Sequence, residues 1–227
     1  MGVIVRMTTM RRIATTAALT LALVSIPVLV LVGSTAQAQV ACKATKAKPH
    51  DPKVVTPPKK ISSQLPKTMT LVTNCGNIAI TTVGVKAQIT LTALSTLARG
   101  GYFDLSLCHR LTTDIIFVLQ CGDPTATGGG GPAWSPYPDE NLPQQVTHNY
   151  PAGTVAMANS GPNTNGSQFF LVYGDTTLGA SYTIWGTITA GLDIVKAIAA
   201  GGVKAGGRSP GDGTPKKTIA IEKVLLK

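Results

Sequence analysis

The sequence predicts a mainly β protein in which a closed eight-stranded antiparallel barrel is capped by two helices, and three features carry that expectation. Eight short apolar runs beyond residue 68 alternate or cluster as strands do, only two stretches repeat at helical spacing, and Gly, Pro and Asn punctuate the intervals. A sandwich would satisfy the same pattern; the barrel is preferred because closure leaves no sheet edge exposed. With 227 residues, 44% of them hydrophobic, the chain can bury a sizeable core, which excludes a wholly disordered protein.

At the amino end, Arg6, Arg11 and Arg12 precede an apolar centre over residues 13–32 and then Ala36-Gln37-Ala38. A basic start, an apolar centre and a small-x-small site make residues 1–38 a secretory signal cut after Ala38. The centre is long for that purpose, and at about 1.5 Å per residue it also suits an uncleaved anchor across a ~30 Å hydrocarbon core. Lipidation at Cys42 is a third outcome. Residues 39–67, rich in Lys, Pro, Ala and Thr and poor in large apolar side chains, read as a disordered basic linker. The folded domain is then 68–227, placed outside the cytoplasmic membrane and either secreted or held there by the amino-terminal segment.

Within the domain, Leu71-Val72-Thr73 and Ile78-Ala79-Ile80 flank Asn74-Cys75-Gly76-Asn77, a hairpin pattern. Residues 86–98 carry Ala87, Leu91, Leu94 and Leu97 at helical spacing, with Gly100-Gly101 as a stop. Further strands are expected at 107–111, 116–121, 154–158, 168–173, 183–189 and 218–226, and a short second helix at 193–200. The loops 122–143 and 159–167 are long and rich in small, polar, Gly or Pro residues, and long loops on a compact scaffold are where function concentrates.

Twenty Lys and Arg face ten Asp and Glu, a net charge of +10. In residues 1–67 the three arginines above and Lys43, Lys46, Lys48, Lys53, Lys59, Lys60 and Lys67 stand against Asp51 alone, so the excess belongs to leader and linker. The near-neutral remainder offers no basic stripe to a phosphate backbone, which argues against nucleic-acid binding. His50, His109 and His148 lack metal-ligand spacing, and no Gly-x-Ser-x-Gly turn marks a serine hydrolase. Gly128-Gly129-Gly130-Gly131 lacks a following Gly-Lys-Ser/Thr and reads as a mobile loop rather than a phosphate cradle. Asn165-Gly166-Ser167 matches a glycosylation acceptor by chance. Cys75, Cys108 and Cys121 are consistent either with one disulfide and a leftover thiol or with buried free thiols, and spacing does not choose the pair.

More specific than any of these are Cys108-His109-Arg110-Leu111, then Phe117-Val118-Leu119-Gln120-Cys121-Gly122-Asp123-Pro124-Thr125, then Met157-Ala158-Asn159-Ser160-Gly161-Pro162-Asn163-Thr164-Asn165-Gly166-Ser167-Gln168-Phe169-Phe170. Together they resemble the cyclophilin family of peptidyl-prolyl isomerases. The resemblance covers about residues 68–227, through Gly101-Tyr102-Phe103-Asp104 and Tyr182-Thr183-Ile184-Trp185-Gly186. The cysteine-bearing segments Asn74-Cys75-Gly76 and Leu119-Gln120-Cys121-Gly122 are similar to exported or membrane-linked members from high-GC Gram-positive bacteria.

The resemblance implies a monomeric prolyl isomerase that works on proline-containing segments of client proteins without metal or other cofactor. It puts Arg110 at the catalytic arginine position, with Gln120 orienting it and contacting substrate backbone. It places Phe117, Val118 and Phe170 around the proline ring. Asn159 and the backbone of Ala158 match the segment that binds peptide main chain, Gln168 lies on the pocket wall, and Leu178 and Tyr182 close it. Thr177 stands where many members carry a tryptophan that contacts cyclosporin, which implies weakened binding of that drug. Two residues are inserted between Arg110 and Phe117 relative to the commonest form, and Val118 replaces a usual methionine.

The chemistry such a site needs is modest. Amide rotation meets a barrier of about 18–20 kcal/mol because the nitrogen lone pair is delocalised into the carbonyl. In the twisted amide the nitrogen regains that pair and accepts a hydrogen bond, so a fixed cationic donor stabilises the transition state more than the planar ground state. An alternative use of the same groove is a holdase that binds Pro-containing chains without turnover, and a wall-bound structural role for the basic linker is a third.

Overall fold

The computed structural model describes residues 1–2, 40–207 and 209–227. The signal or anchor expected over 1–38 therefore falls almost wholly outside the described residues. Among the described residues no helix is long and apolar enough to cross a membrane.

The first hairpin forms as its turn chemistry dictates. Strands β1 (Thr68–Thr73) and β2 (Gly76–Thr82) pair from Thr68↔Thr81 to Thr73↔Gly76. Met69, Leu71, Ile78 and Ile80 face the core at the strand period of two. Gly76 sits at φ +122, a backbone conformation that favours glycine, and a Cβ there would come within 2.9 Å of the Ile194 side chain. The remaining strands are β3 (Ser106–Leu107), β4 (Arg110–Thr112), β5 (Val118–Cys121), β6 (Thr154–Met157), β7 (Phe169–Val172), β8 (Ile184–Ala190), β9 (Asp212–Gly213) and β10 (Ala220–Leu226).

These ten strands form one curled antiparallel sheet in the order β3-β10-β1-β2-β8-β6-β7-β5-β4-β9. The expected closed eight-stranded barrel is therefore corrected: the sheet has ten strands, and β3 and β9 end it. Two causes account for the difference. The run expected as one strand at 107–111 breaks at Cys108-His109 into β3 and β4, which pair with different partners. Strand β9 has only two residues, Asp212 and Gly213, too few to show any periodicity in sequence.

Helix α1 (Gln88–Arg99) follows a short 3₁₀ turn and buries Leu91, Leu94 and Leu97. Its first turn has no local cap. The Glu140 carboxylate instead accepts hydrogen bonds from the N–H groups of Ile89 (3.1 Å) and Thr90 (2.8 Å), satisfying two of the orphan donors from 50 residues away. Helix α2 (Leu192–Ala199) starts after Gly191 at φ +85 and buries Ile194, Val195 and Ile198. The main core gathers these aliphatics with Tyr102, Phe103, Phe169 and Trp185.

Residues 40–67 are the largest departure from expectation. The segment expected as a disordered linker runs as an extended strap along the domain. Cys42 is disulfide-bonded to Cys75, the Lys43 N–H donates to the Asn74 carbonyl (2.8 Å), and the His50 N–H donates to the Pro124 carbonyl (3.0 Å). The Ser62 N–H donates to Thr92 Oγ1 (3.0 Å), and Trp134 Nε1–H donates to the Val55 carbonyl (2.7 Å). Val40, Cys42, Val55 and Leu65 pack against the core. Sparse apolar residues suffice because a crosslink and backbone hydrogen bonds supplement them, and prolines lower the entropy lost on ordering. The second disulfide joins Cys108 to Cys121, so all four cysteines are paired and the leftover thiol does not exist.

Candidate functional site

A row of directly opposed residues crosses the sheet: Arg110↔Gln120 between β4 and β5, Gln120↔Phe170 between β5 and β7, and Phe170↔Ala156 between β7 and β6. Because side chains alternate across a strand, this register puts Arg110, Gln120 and Phe170 on one face, with Val118 two positions from Gln120 on the same face. Above that row opens a cleft of about 300 Å³ lined by Arg110, Ile116, Val118, Gln120, Phe170 and Tyr182, with Ala158, Asn159 and Leu178 at its rim.

Arg110 is held on two sides. Its Nε–H donates to Asp212 Oδ1 (2.8 Å), an Nη2–H donates to Asp212 Oδ2 (2.8 Å), and an Nη1–H donates to Gln120 Oε1 (3.1 Å). Of the five N–H donors of a guanidinium, two remain for a ligand. The hydrogen bond to Asp212 raises the Arg110 pKa further above its ordinary value, outweighing the opposing effect of partial burial. Asp212, which holds the Arg110 guanidinium, is a residue that sequence reasoning missed. It lies 102 positions from Arg110 on the two-residue strand β9, and only the Leu111↔Gly213 and Thr112↔Asp212 pairing brings it alongside.

Gln120 passes the order outward. Its Nε2–H donates to Gln168 Oε1 (2.8 Å), and Gln168 Nε2–H donates to the carbonyls of Gly128 (3.1 Å) and Gly130 (2.8 Å). The glycine run expected to be a mobile loop is instead wound around the Asp123 side chain. That carboxylate accepts the N–H groups of Thr125 (2.8 Å), Thr127 (3.1 Å), Gly128 (2.8 Å) and Gly130 (3.1 Å) and the Thr125 hydroxyl (2.7 Å). Burial by itself would raise the Asp123 pKa, but these donors favour the anion and leave it below the usual carboxylate value. A Cβ on Gly130 would come within 2.0 Å of Asp123 Oδ1, so the tight wrap requires glycine there.

The apolar wall rests on aromatic edges. The Tyr182 and Tyr150 rings meet Phe170 edge-on at centroid distances of 5.5 and 6.1 Å. Tyr150 is wholly buried, and burial pushes its hydroxyl pKa up to about 12; that neutral hydroxyl accepts the Tyr182 N–H (3.0 Å) and lies 3.1 Å from the Tyr182 carbonyl. Asn149 clasps Leu178 through both its carbonyl (2.8 Å) and its N–H (3.0 Å). Asn159 Nδ2–H donates to the Ser181 carbonyl (2.8 Å), which fixes the 159–167 loop at the cleft's edge. Thr177 accepts the His148 N–H (2.8 Å). Asn165 is fully buried and its amide donates to Tyr137 and Pro138 carbonyls and to Asp139, so the glycosylation pattern is internal.

Most of the residues singled out from sequence therefore meet: Arg110, Gln120, Val118, Ala158, Asn159, Phe170, Leu178 and Tyr182 line one cleft, and Gln168 stands behind Gln120. Phe117 does not. It has the opposite strand parity from Val118's neighbours in the cleft, stacks edge-on against Tyr173 at 5.9 Å, and borders a depression beside Lys196 and Ala199 of α2. Ile116, one position earlier, takes its place in the cleft. Ile115 at φ +63 and the Asp114↔Ile116 bridge form the tight turn that sets this parity.

Compared with known proteins, residues 68–225 match the family model described as cyclophilin type peptidyl-prolyl cis-trans isomerase/CLD. The chain belongs to the cyclophilin family. Among curated cyclophilins it is 43% identical over 196 residues to the probable peptidyl-prolyl cis-trans isomerase B of Mycobacterium leprae, covering 79% of this chain and 63% of that protein. The probable peptidyl-prolyl cis-trans isomerase B of Mycobacterium tuberculosis is 43% identical over 190 residues, 78% of this chain and 58% of that protein. The chain thus spans about three fifths of these relatives' length. The ppi1 isomerase of Schizosaccharomyces pombe is 40% identical over 128 residues, 56% of this chain and 81% of that protein. A Cryptosporidium parvum cyclophilin crystal structure superposes with a TM-score of 0.60 at 23% identity, covering 71% of this chain and 97% of that one, a likeness of fold.

Proposed function

We propose that this chain is a peptidyl-prolyl cis-trans isomerase that accelerates X-Pro rotation in proline-containing segments of proteins folding outside the cytoplasmic membrane. One observation carries the reading: a guanidinium clamped by Asp212 and Gln120 keeps two free donors in a cleft that also presents the side chains of Ile116, Val118 and Phe170. Val118, Ile116 and Phe170 hold the ring, while Asn159 and the Ala158 backbone at the rim engage the extended peptide. As the preceding carbonyl turns, the nitrogen pyramidalises and accepts a hydrogen bond from Arg110. That bond is absent in the planar ground state, so its energy lowers the barrier rather than merely tightening binding. Gln120 and Gln168 keep the donor's direction fixed, so little reorganisation is required as the transition state forms. No proton leaves any group, and no covalent intermediate is needed. Two disulfides support an oxidising, extracytoplasmic location.

The test is cis-to-trans conversion of an Xaa-Pro peptide by the wild type, Arg110→Ala and Arg110→Lys. One charge-assisted donor contributes about 1.5–3 kcal/mol, so Arg110→Ala is expected to lose roughly 10- to 150-fold in kcat/KM. Arg110→Lys recovers little, because a point charge cannot be clamped by the fork that Asp212 and Gln120 form. A folded wild type that binds the peptide but does not accelerate its rotation identifies a holdase instead.

A further inference from the structure

The strap builds a second depression that prolyl rotation does not use. Pro57, Pro58 and Ile61 face Ile89 and Ala93 of α1 and the ring of Trp134, enclosing about 390 Å³. Its walls are fixed on both sides: Trp134 by its hydrogen bond to the Val55 carbonyl (2.7 Å), and the strap next to Ile61 by the Ser62 N–H to Thr92 Oγ1 (3.0 Å). Ile61 nonetheless stays 44% exposed, and Lys59 and Lys60 stand exposed at the rim.

Its position is informative. The proline cleft shares Gln120, Gly128, Ala158, Asn159 and Ser160 with an adjoining hollow of about 220 Å³. That hollow in turn shares Trp134, Ser135 and Tyr137 with the strap depression. Three concavities thus adjoin in series, each sharing wall residues with the next, and an extended chain advances about 3.3 Å per residue from one towards another.

We propose that the strap depression is a flank-recognition site for the client polypeptide whose proline occupies the cleft. It takes an apolar side chain several residues from the proline, and acidic neighbours of that side chain pair with Lys59 and Lys60. The inference rests on the peptide-binding reading above and extends it. The paired prolines and the Trp134 ring offer a rigid apolar surface, so an incoming side chain is met by groups that lose little freedom on contact. A second anchor on a chain already held at its proline acts at high effective concentration, which lowers KM without touching the reacting bond.

The experiment measures kcat and KM with the full chain on an Ala-Pro tetrapeptide and on peptides of about twelve residues, roughly 40 Å when extended. The longer peptides carry one central proline and a Glu-Leu-Glu flank placed at increasing spacing on either side, with Lys-Ser-Lys flanks as controls. At one spacing on one side, KM falls about tenfold relative to the tetrapeptide while kcat stays unchanged, and the gain shrinks at high salt. Ile61→Asp and the double variant Lys59→Glu/Lys60→Glu alter exposed side chains, so they abolish the gain and leave tetrapeptide turnover intact. A gain absent at every spacing, or kept by both variants, overturns the proposal. Failure of the wild type to turn over the tetrapeptide overturns the isomerase reading instead. In that case direct binding of the Glu-Leu-Glu peptides, compared between wild type and Ile61→Asp, decides the flank site.

Discussion

Replacing Asp212 by Asn separates two opposite effects that the carboxylate has on Arg110. The fork of two 2.8 Å bonds fixes the guanidinium, whose side chain is 25% exposed and would otherwise sample several rotamers. Restoring that freedom costs about 1–2 kcal/mol each time the donor must be brought back to the nitrogen. Against this, the negative charge opposes the lone pair that the proposed mechanism has Arg110 stabilise. With about a quarter of a charge developing roughly 7 Å away at an effective dielectric near 20, removing the carboxylate would gain only about 0.6 kcal/mol. Positioning wins by about 1 kcal/mol, so Asp212→Asn is expected to lower kcat about fivefold with KM changed less than twofold. Asp212→Glu, which keeps the charge and can re-form part of the fork, recovers some of the loss. The assay is protease-coupled or NMR-monitored cis-to-trans conversion at saturating and subsaturating peptide. A faster Asn variant would mean that the carboxylate restrains Arg110 electrostatically, and a change in KM alone would mean that it acts on binding; either result refutes the positioning argument.

Four further outcomes follow from the same geometry. Asp123→Ala leaves four partly exposed loop N–H groups without their shared acceptor, which is expected to cost about 1–2 kcal/mol, read as a lower thermal midpoint together with weaker turnover as Gln168 loses its anchor. Because the fold depresses the Asp123 pKa, its stabilisation is present above the ordinary carboxylate value near 3.8 and is lost as pH falls below it, so acid titration of the wild type should show a loss of stability there that Asp123→Asn lacks. Phe170→Ala should weaken peptide turnover at least tenfold, whereas Phe117→Ala should lower the thermal midpoint and leave KM within twofold, since only Phe170 lines the cleft. Cys42→Ser removes a crosslink spanning 33 residues, worth roughly 3–4 kcal/mol in a chain-entropy account, and should expose residues 40–67 to limited proteolysis while the domain stays folded.

How far the sequence reaches depends on the range of the interaction concerned. The first hairpin and α1 were legible because their causes are local: Asn and Gly in the turn, alternation in Met69 and Leu71, and helical spacing of Leu91, Leu94 and Leu97. The family resemblance made Arg110, Gln120 and Phe170 legible as a set, and the cross-strand register then explained why they meet. Phe117 escaped because a tight turn at Ile115 sets strand parity, and parity decides the face on which each following side chain emerges.

By itself, then, the sequence determined a mainly β protein, its charge asymmetry and, through the family resemblance, most of the residues that line the cleft. Tertiary structure alone decided what depends on distant segments arriving together. Asp212 reaches Arg110 across 102 positions, Glu140 caps α1 across 50, and Cys42 finds Cys75 across 33. Such pairings leave no periodic trace in a chain, since each is fixed by where the sheet's register and the loops place two backbones rather than by any pattern near either residue. The same reason hid the strap: its composition alone cannot order it, and the domain beneath supplies the partners that do.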